Sequence, residues 1–453
     1  MKNKTFFNTI LLTCLLIVSQ LALAQLPKET EAQKAQRLKW WTEARFGMFI
    51  HWGLYALPAR QEWYKNNDRL TNEQYQKYFD EFNPDLYNPR EWAKMAKEAG
   101  MKYIVITSKH HEGFCLFDSK FTDYKASNTP YGKDILKEFV DGFRAEGLKV
   151  GFYYSLIDWH HPDYTIDVLH PLRQETDSAY DRLNKGRDMN KYRLYIKNQL
   201  KELLTNYGEI SFIWFDMSFP GKHGKDSKDW DSESLIKLAR TLQPGILIND
   251  RLGLSDVEGG WDFITPEQVR LTKWPEKNGK KIPWETCQTM SGYWGYYRDE
   301  NRWKKSEQLL EMLIETVSRG GNLLLNVGPT GRGLFDDQIQ ERLKFIGDWM
   351  KSNSRSIYGC TEAPAEFIPP ANSLLTYNPV TKRLYIHLFN YRIEERVTLV
   401  NALDKIKYAQ FLHDASEIRY RPGREENTKN DAIFQVPVQK PSMELPVIEV
   451  FLK

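Results

Sequence analysis

At 453 residues the chain is long enough to bury a large core and to divide into more than one domain. Hydrophobic residues make up 41%, and 63 basic residues nearly balance 60 acidic ones for a net charge of +3, which excludes a disordered chain and leaves no basic run interleaved with aromatics for nucleic acid. Aromatics reach 13%, with 14 Trp and 24 Tyr; flat rings of this kind stack on the C–H faces of sugars, and they also fill large cores.

The N-terminus reads MKNKTFFNTILLTCLLIVSQLALAQ. Lys2 and Lys4 form a positive n-region, an apolar stretch follows, and Ala22-Leu23-Ala24 fits the small-x-small cleavage rule, so residues 1–24 are expected to be a signal peptide. Gln20 and the early polar residues make the apolar run short for a membrane anchor. Cys14 follows Thr13 inside that run, not a small residue suited to lipidation. Cys115, Cys287 and Cys360 then remain, too few in a large chain for a disulfide framework.

From about residue 40 to 350 short apolar runs alternate with helix-period segments. RFGMFIHWG predicts a first strand, and REWAKMAKEAG a helix that aligns Trp92, Met95, Ala96 and Ala99 and stops at Gly100. KYIVITSKHH, KVGFYYSLIDW, SFIWFD and ILINDR predict the next strands, separated by DILKEFVDGFRAEG, KYRLYIKNQLKELLTNYG and ESLIKLARTLQPG as helices. WDFITPE and WETCQT are further strand candidates, and SEQLLEMLIETVSRGG precedes NLLLNVGP, the last strand of the series. Runs without polar alternation belong to a sheet buried on both faces, and about eight strand-helix units predict a (β/α)8 TIM-like barrel over residues 25–355. A doubly wound open sheet is the alternative, but no glycine-rich phosphate loop follows any strand. Beyond about residue 360 short strands split by turn residues predict a C-terminal antiparallel β-sandwich, residues 356–453.

A barrel carries its chemistry at the C-terminal ends of its strands. The predicted ends are polar: His51-Trp52, His110-His111-Glu112, Tyr154 with Asp158 and Trp159, Asp216, Asp250-Arg251, Glu267 and Glu285. Any one of these taken alone is more often a surface or core partner, but seven strands ending alike point to a cleft. Metal binding is disfavoured, because the adjacent His pairs 110–111 and 160–161 should point to opposite sides of an extended backbone and no HExxH or Cys cluster exists. No GxSxG supports serine chemistry. Paired carboxylates remain, Asp216 with a Glu from a neighbouring strand, as in glycosidases.

In combination, FGMFIHWG, EWY, SKHHEGFCLFDS, WFD, NDR, WETCQT, WGY and LLLNVGP resemble the family 29 α-L-fucosidases, over the whole predicted barrel. The resemblance implies a barrel followed by a β-sandwich, and retaining hydrolysis of terminal α-L-fucosyl links on fucosylated oligosaccharides or glycoconjugates without a metal or other cofactor. Carried over by motif, it implies Asp216 as nucleophile and His51, Glu62, Trp63, His110, His111, Tyr154, Trp214, Arg251 and Trp294 as sugar-binding residues, with Trp294 as a wall for the fucose methyl. The acid/base lies between Glu267 and Glu285; the family's TxE stretch favours Glu267, leaving Glu285 as a site or structural carboxylate paired with Arg251 or Arg298. A retaining glycosidase for another sugar and a non-catalytic sugar-binding barrel are the competing readings.

The leader predicts export to a periplasmic or extracellular space, free of the membrane. Sequencing of the mature protein should begin at or near Gln25; an intact Met1 in the soluble pool would overturn this.

Overall fold

The computed structural model describes residues 29–391 and 396–453; the expected leader and its cleavage site lie outside the described residues. Among the described residues no helix is long and apolar enough to cross a membrane. The helix Glu31–Ala44 opens on a capping box, in which Thr30 accepts from the Gln33 N–H and the Gln33 side chain reaches back.

Seven parallel strands follow: β1 (Phe46–Ile50), β2 (Tyr103–Lys109), β3 (Lys149–Ser155), β4 (Phe212–Asp216), β5 (Leu247–Ile248), β8 (Glu285–Thr289) and β9 (Asn322–Val327), with a small hairpin β6–β7 (Glu276–Lys277 and Lys280–Lys281) outside the sheet. Their order is β5-β4-β3-β2-β1-β9-β8, so each crossover from β1 to β5 steps to the adjacent strand and the sheet curls. Between its edges runs the irregular segment 262–267, with parallel bridges from Asn249 to Phe263 on the β5 side and from Ile264 to Trp284 and Glu267 to Cys287 on the β8 side. β5 has only two residues because Asn249 turns its side-chain amide into the ladder. Its Oδ1 accepts from Phe215 N and its Nδ2 donates to Phe215 O, both at 2.9 Å.

Alternation along the strands separates two cores. Phe49, Tyr103, Val105, Tyr153, Phe212, Trp214, Phe263 and Leu324 pack inside the curl, and Leu38, Trp41 and Ala44 of the first helix fill its N-terminal end. Met48, Ile104, Ile106, Phe152, Ile213, Phe215 and Leu325 face the helices. Both sets are buried, which is why the strands read as continuous apolar runs. Helix Pro89–Glu98 buries Trp92, Ala93 and Ala96 and gives way to Gly100 at φ +88°. Helix Met189–Thr205 buries Tyr192, Ile196, Leu200 and Leu203 at helical spacing along one face.

The C-terminal part is antiparallel. β10 (Thr361–Glu362), β11 (Ser373–Asn378), β12 (Arg383–Leu388), β17 (Val447–Leu452) and β14 (Ile406–Phe411) form one sheet, and β13 (Thr398–Leu399), β16 (Ala432–Phe434) and β15 (Tyr420–Arg421) a second. Leu375, Leu384, Ile386 and Val450 of the first meet Leu399, Ala432 and Phe434 of the second in a separate apolar core. Tyr385 and Val447 instead join the large core under the helices. There Trp349 Nε1 donates to Leu445 O at 3.2 Å, and Arg45 Nε to Cys360 O at 2.7 Å.

Beneath the loop after β3 lies a buried ion pair, Lys109 Nζ to Asp158 Oδ2 at 3.1 Å, with the side chains 0% and 1% exposed. Burial pushes the Asp158 carboxyl up, but Lys109 and His161 overcome it and hold the group at about 2. Its contribution to stability is therefore complete above the ordinary Asp range and is lost as the pH falls towards 2. Asp158→Asn keeps an acceptor for the His160 and His161 N–H groups but strands the ammonium. Urea denaturation at neutral pH should show a loss of about 3–5 kcal/mol, and the acid-induced loss of stability should be shallower than in the parent.

Candidate active site

The C-terminal ends of the strands surround a cavity lined by Phe49, His51, Trp63, His110, His111, Tyr153, Trp214, Asp216, Met217, Glu267, Cys287 and Trp294. Of the sequence-expected residues, His51, Trp63, His110, His111, Trp214, Asp216, Glu267 and Trp294 line it directly. Glu62, Tyr154, Arg251 and Glu285 are placed differently.

β4 delivers Phe212, Trp214 and Asp216 to one face, so the carboxylate is the last inward side chain of an apolar strand. Asp216 receives two donors. Tyr153 Oη donates to Oδ2 at 2.8 Å and Arg251 NH1 to Oδ1 at 2.9 Å. Arg251 stands behind the cavity wall, its guanidinium 4.6 Å from the Trp214 ring centre, and the same NH1 lies 2.7 Å from Glu267 Oε2. Because one nitrogen touches both carboxylates, their facing oxygens are no farther apart than those two contacts laid end to end. The two carboxylates therefore face a common nitrogen as a close pair. Burial works against the Arg251 charge, but Asp216 and Glu267 outweigh it and hold the guanidinium above its ordinary range.

The tyrosine expected from β3 is corrected by one residue. Tyr153 faces the cavity and Tyr154 faces the helices, where its hydroxyl donates to Gln199 Oε1 at 2.7 Å. Side chains of a strand alternate, so only the register decides which of two adjacent tyrosines is inside. Tyr153 pairs with Trp214, and both point inward.

The expectation that His110 and His111 point to opposite sides is also corrected. The register of β2 on β3 slips between Thr107 and Lys109, and Gly113 N closes a turn on His110 O at 3.0 Å. The chain is no longer extended there. Both rings enter the cavity, with centres 3.9 Å apart. Ser155 Oγ donates to Ile157 O at 2.7 Å, so His111 Nδ1, 2.7 Å from Ser155 Oγ, is the donor in that contact. Burial, with the nearby Lys109 and Arg251 charges, keeps His111 neutral, and its free Nε2 lies 3.9 Å from Asp216 Oδ2. That nitrogen is left able to accept a hydrogen bond.

Glu62 reaches the site through backbone. Its Oε2 accepts from Trp294 N at 3.1 Å and Gly295 N at 2.7 Å, and burial raises its carboxyl to about 7 despite those bonds. Trp63 next to it lines the cavity, its ring 5.1 Å from His111 and 5.3 Å from Trp159. Asp250 Oδ1 accepts from both N and Oγ1 of Thr265, at 3.0 and 2.8 Å, and so fixes the segment that presents Glu267.

Glu285 is not at the C-terminal end of its strand. It is the first residue of β8, and its partner is neither Arg251 nor Arg298: Oε2 accepts from Trp41 Nε1 at 3.2 Å and from Tyr103 Oη. Cys287, two residues on and about 6–7 Å higher along the strand, is the β8 residue that lines the cavity. Burial raises the Glu285 carboxyl to about 7. The polar run Thr286 to Thr289 hides a strand, so sequence reasoning placed the end where the strand begins.

Non-glycine residues in left-handed backbone flank three of these carboxylates: Gln61 (φ +69°) before Glu62, Met217 (φ +78°) after Asp216 and Gln268 (φ +54°) after Glu267. Such conformations cost about 1–3 kcal/mol each and persist where a site needs them. Among the described residues no group of three or more His, Cys, Asp or Glu side chains is arranged to hold a metal ion.

Comparison with known proteins gives this geometry a family. Residues 15–355 match the model of the α-L-fucosidase family. The chain is 30% identical to human plasma α-L-fucosidase over 348 residues, 70% of this chain and 68% of that protein. α-L-Fucosidase isoenzyme 1 from Paenibacillus thiaminolyticus is similar in structure at 42% identity and TM-score 0.86, covering 93% of this chain and 99% of that one. A family 29 α-L-fucosidase from Bacteroides thetaiotaomicron, solved as a trapped covalent intermediate with 2-fluoro-fucosyl fluoride, matches at 30% identity and TM-score 0.78, covering 95% of this chain and 98% of that one. The chain belongs to the α-L-fucosidase family of glycosidases.

Tyr153→Phe removes a hydrogen bond to a charged acceptor, and kcat/KM on an aryl α-L-fucoside should fall on the order of tenfold to a hundredfold. Tyr154→Phe, which loses only the Gln199 contact, should leave it nearly unchanged; the opposite ranking would restore the sequence-based choice.

Proposed function

We propose that this chain removes terminal α-L-fucosyl residues from fucosylated oligosaccharides or glycoconjugates by exo-acting double displacement, with retention of configuration. The shared Arg251 nitrogen between Asp216 and Glu267 carries this reading, because it brings two carboxylates together at the cavity, the close pair that a double displacement needs. The covalent intermediate trapped in the Bacteroides relative supports it.

In the first step an Asp216 oxygen forms a bond to the anomeric carbon as the glycosidic C–O bond breaks. Glu267 gives its proton to the departing oxygen. In the second step Glu267 takes a proton from water, water attacks the anomeric carbon, and Asp216 leaves as carboxylate. Tyr153 and Arg251 hold Asp216 on two sides and receive it back with its charge. Glu267, 41% exposed, lies on the solvent side of the pair where an aglycone departs, and to carry a proton it must give up Arg251. His51, His110 and His111 face the sugar hydroxyls with neutral rings, and Trp63, Trp214 and Trp294 supply apolar walls, Trp294 for the C5 methyl. Every step uses groups of the chain itself.

The scaffold reading belongs with this. The bridges through 262–267 support counting that segment as the eighth stave of a (β/α)8 barrel, residues 25–355, with residues 356–453 as a β-sandwich. A protein exported by its leader would meet glycans outside the cytoplasm.

Asp216→Ala should lose nearly all turnover of even activated aryl fucosides while staying folded, and a 2-fluoro-fucosyl fluoride should label Asp216 alone. Glu267→Ala should lose about 10²–10⁴-fold on substrates with poor leaving groups, far less on activated ones, and should be rescued by azide to a fucosyl azide of retained configuration. Glu285→Ala should show a stability loss and no azide rescue. Rescue confined to the Glu285 variant would exchange the two roles.

A further inference from the structure

One peptide unit in the wall of the cavity is held at both ends. Glu62 Oε2 receives the N–H of Trp294 and of Gly295, at 3.1 and 2.7 Å. The carbonyl of Trp294 receives Asn326 Nδ2 at 2.7 Å. The other arm of the same amide, Asn326 Oδ1, lies 2.7 Å from His51 Nδ1. Asn326 is on β9, beside Phe49 of β1 and Thr289 of β8, with its side chain inward and 2% exposed.

The hydrogen bonds leave no freedom in this chain of contacts. A carbonyl accepts only, so the arm of the Asn326 amide that faces Trp294 O must be its NH₂. The arm that faces His51 must then be its oxygen, and His51 Nδ1 must carry the proton. The neutral ring is left with a lone pair on Nε2. The ring stands between Trp294 (centres 5.0 Å apart), His110 (5.6 Å) and Tyr153 (5.6 Å) in the sugar cavity. There is no slack behind Trp294 either. A Cβ on Gly328 would lie 2.8 Å from Trp294 O, and one on Gly295 2.9 Å from the Tyr55 ring.

We propose that Asn326 is a positioning residue of the sugar site, and that its one amide sets both the Nδ1–H tautomer of His51 and the seat of Trp294. His51 then meets a sugar hydroxyl as an acceptor through Nε2, while the indole beside it is held at fixed depth by Asn326 from one side and Glu62 from the other. Burial, with His111 and Arg251 nearby, holds His51 at about 3, so the ring stays neutral at working pH. The charged and titratable groups around it are His110 and His111 after β2, Tyr153 on β3 with the Asp216 it holds, and Arg251 after β5. None of them faces Nδ1 in place of Asn326. The inference deepens the fucosidase reading and rests on it for the identity of the hydroxyl.

Two measurements separate the inference from that reading. The first is the imidazole ¹⁵N spectrum of ¹⁵N-histidine-labelled wild-type protein, with the His51 signals assigned by their loss in His51→Gln. A neutral ring with Nδ1–H is expected; an Nε2–H tautomer overturns the proposal, whatever the activity. The second is the pH dependence of kcat/KM on an aryl α-L-fucoside. Asn326→Asp keeps the acceptor for Nδ1–H but places a carboxylate beside it, which favours the imidazolium and protonates Nε2 at low pH. The ratio of N326D to wild type should therefore rise with pH between about 4 and 7. A ratio flat with pH overturns the tautomer role and leaves Asn326 a packing residue. Asn326→Ala should lower kcat/KM about fivefold to a hundredfold, chiefly through KM, with the ratio to wild type independent of pH. If N326D does not fold, the wild-type spectrum still decides. A wild-type enzyme with the Nδ1–H tautomer and no action on α-L-fucosides would overturn the functional reading and leave the tautomer assignment standing.

Discussion

A single guanidinium organises the site. Arg251 NH1 lies 2.9 Å from Asp216 and 2.7 Å from Glu267, while the plane of the group covers the Trp214 ring. Two carboxylates brought this close repel one another, and in a cavity of low polarity the repulsion is large. The cation between them lets both stay near a common point. Its own position is set by Thr265, which accepts from Arg251 Nε at 3.0 Å and, through its carbonyl, from NH2 at 3.1 Å, and which Asp250 holds in turn. The spacing of the two carboxylates is thus fixed by a short chain of contacts between β5 and the segment that follows it.

Elsewhere the fold buries carboxyls in two contrasting ways. Glu62, Glu112 and Glu285 are bonded by N–H and O–H donors, and burial raises each to about 7. Asp158 touches an ammonium and is held at about 2. Neutral donors only partly offset desolvation, whereas a contacting cation exceeds it. A raised carboxyl favours the protonated native state, so these three glutamates contribute less stability as the pH climbs from the ordinary Glu range towards 7. Two of them hold parts that the cavity depends on. Glu62 clamps the Trp294 loop. Glu285, with Trp41 and Tyr103, fills the base of the curl beneath Trp214, where Gly47 leaves the space that the Tyr103 ring occupies.

The polar residues of the cavity are supplied by many short segments, each rigid for its own reason. The end of β1 leads into His51, the turn after β2 gives two histidines, β3 gives Tyr153 and β4 Asp216. None lies near another in the chain except the histidine pair. Their mutual geometry therefore depends on strand registers, and small irregularities in the sheet do the aiming. The slip on β2 at Ser108 turns both histidines inward, and the Asn249 amide ends β5 early enough for Arg251 to reach back over Trp214.

Local chemistry was written plainly in the sequence. Apolar runs without alternation gave a parallel sheet buried on both faces, the helix periods of 89–98 and 189–205 gave the faces that pack on it, and the change of pattern near residue 360 marked the antiparallel part. The W-x-D end of β4 and the NDR after β5 pointed to Asp216 and Arg251, which the fold brings into contact at 2.9 Å. What the sequence left open were questions of register and depth. Tyr153 and Tyr154 are chemically the same, and only the pairing of β3 with β4 turns the first inward. Glu267 and Glu285 are both glutamates after apolar residues, and only the bridge of Glu267 to Cys287 shows that one is level with the cavity and the other lies at its base. Asn326 was one letter in a strand until its amide was seen between Trp294 and His51. Residue type and period are carried by neighbours in the chain, whereas facing, level and tautomer are set by partners on other strands, tens to hundreds of residues away, so tertiary structure alone decides them.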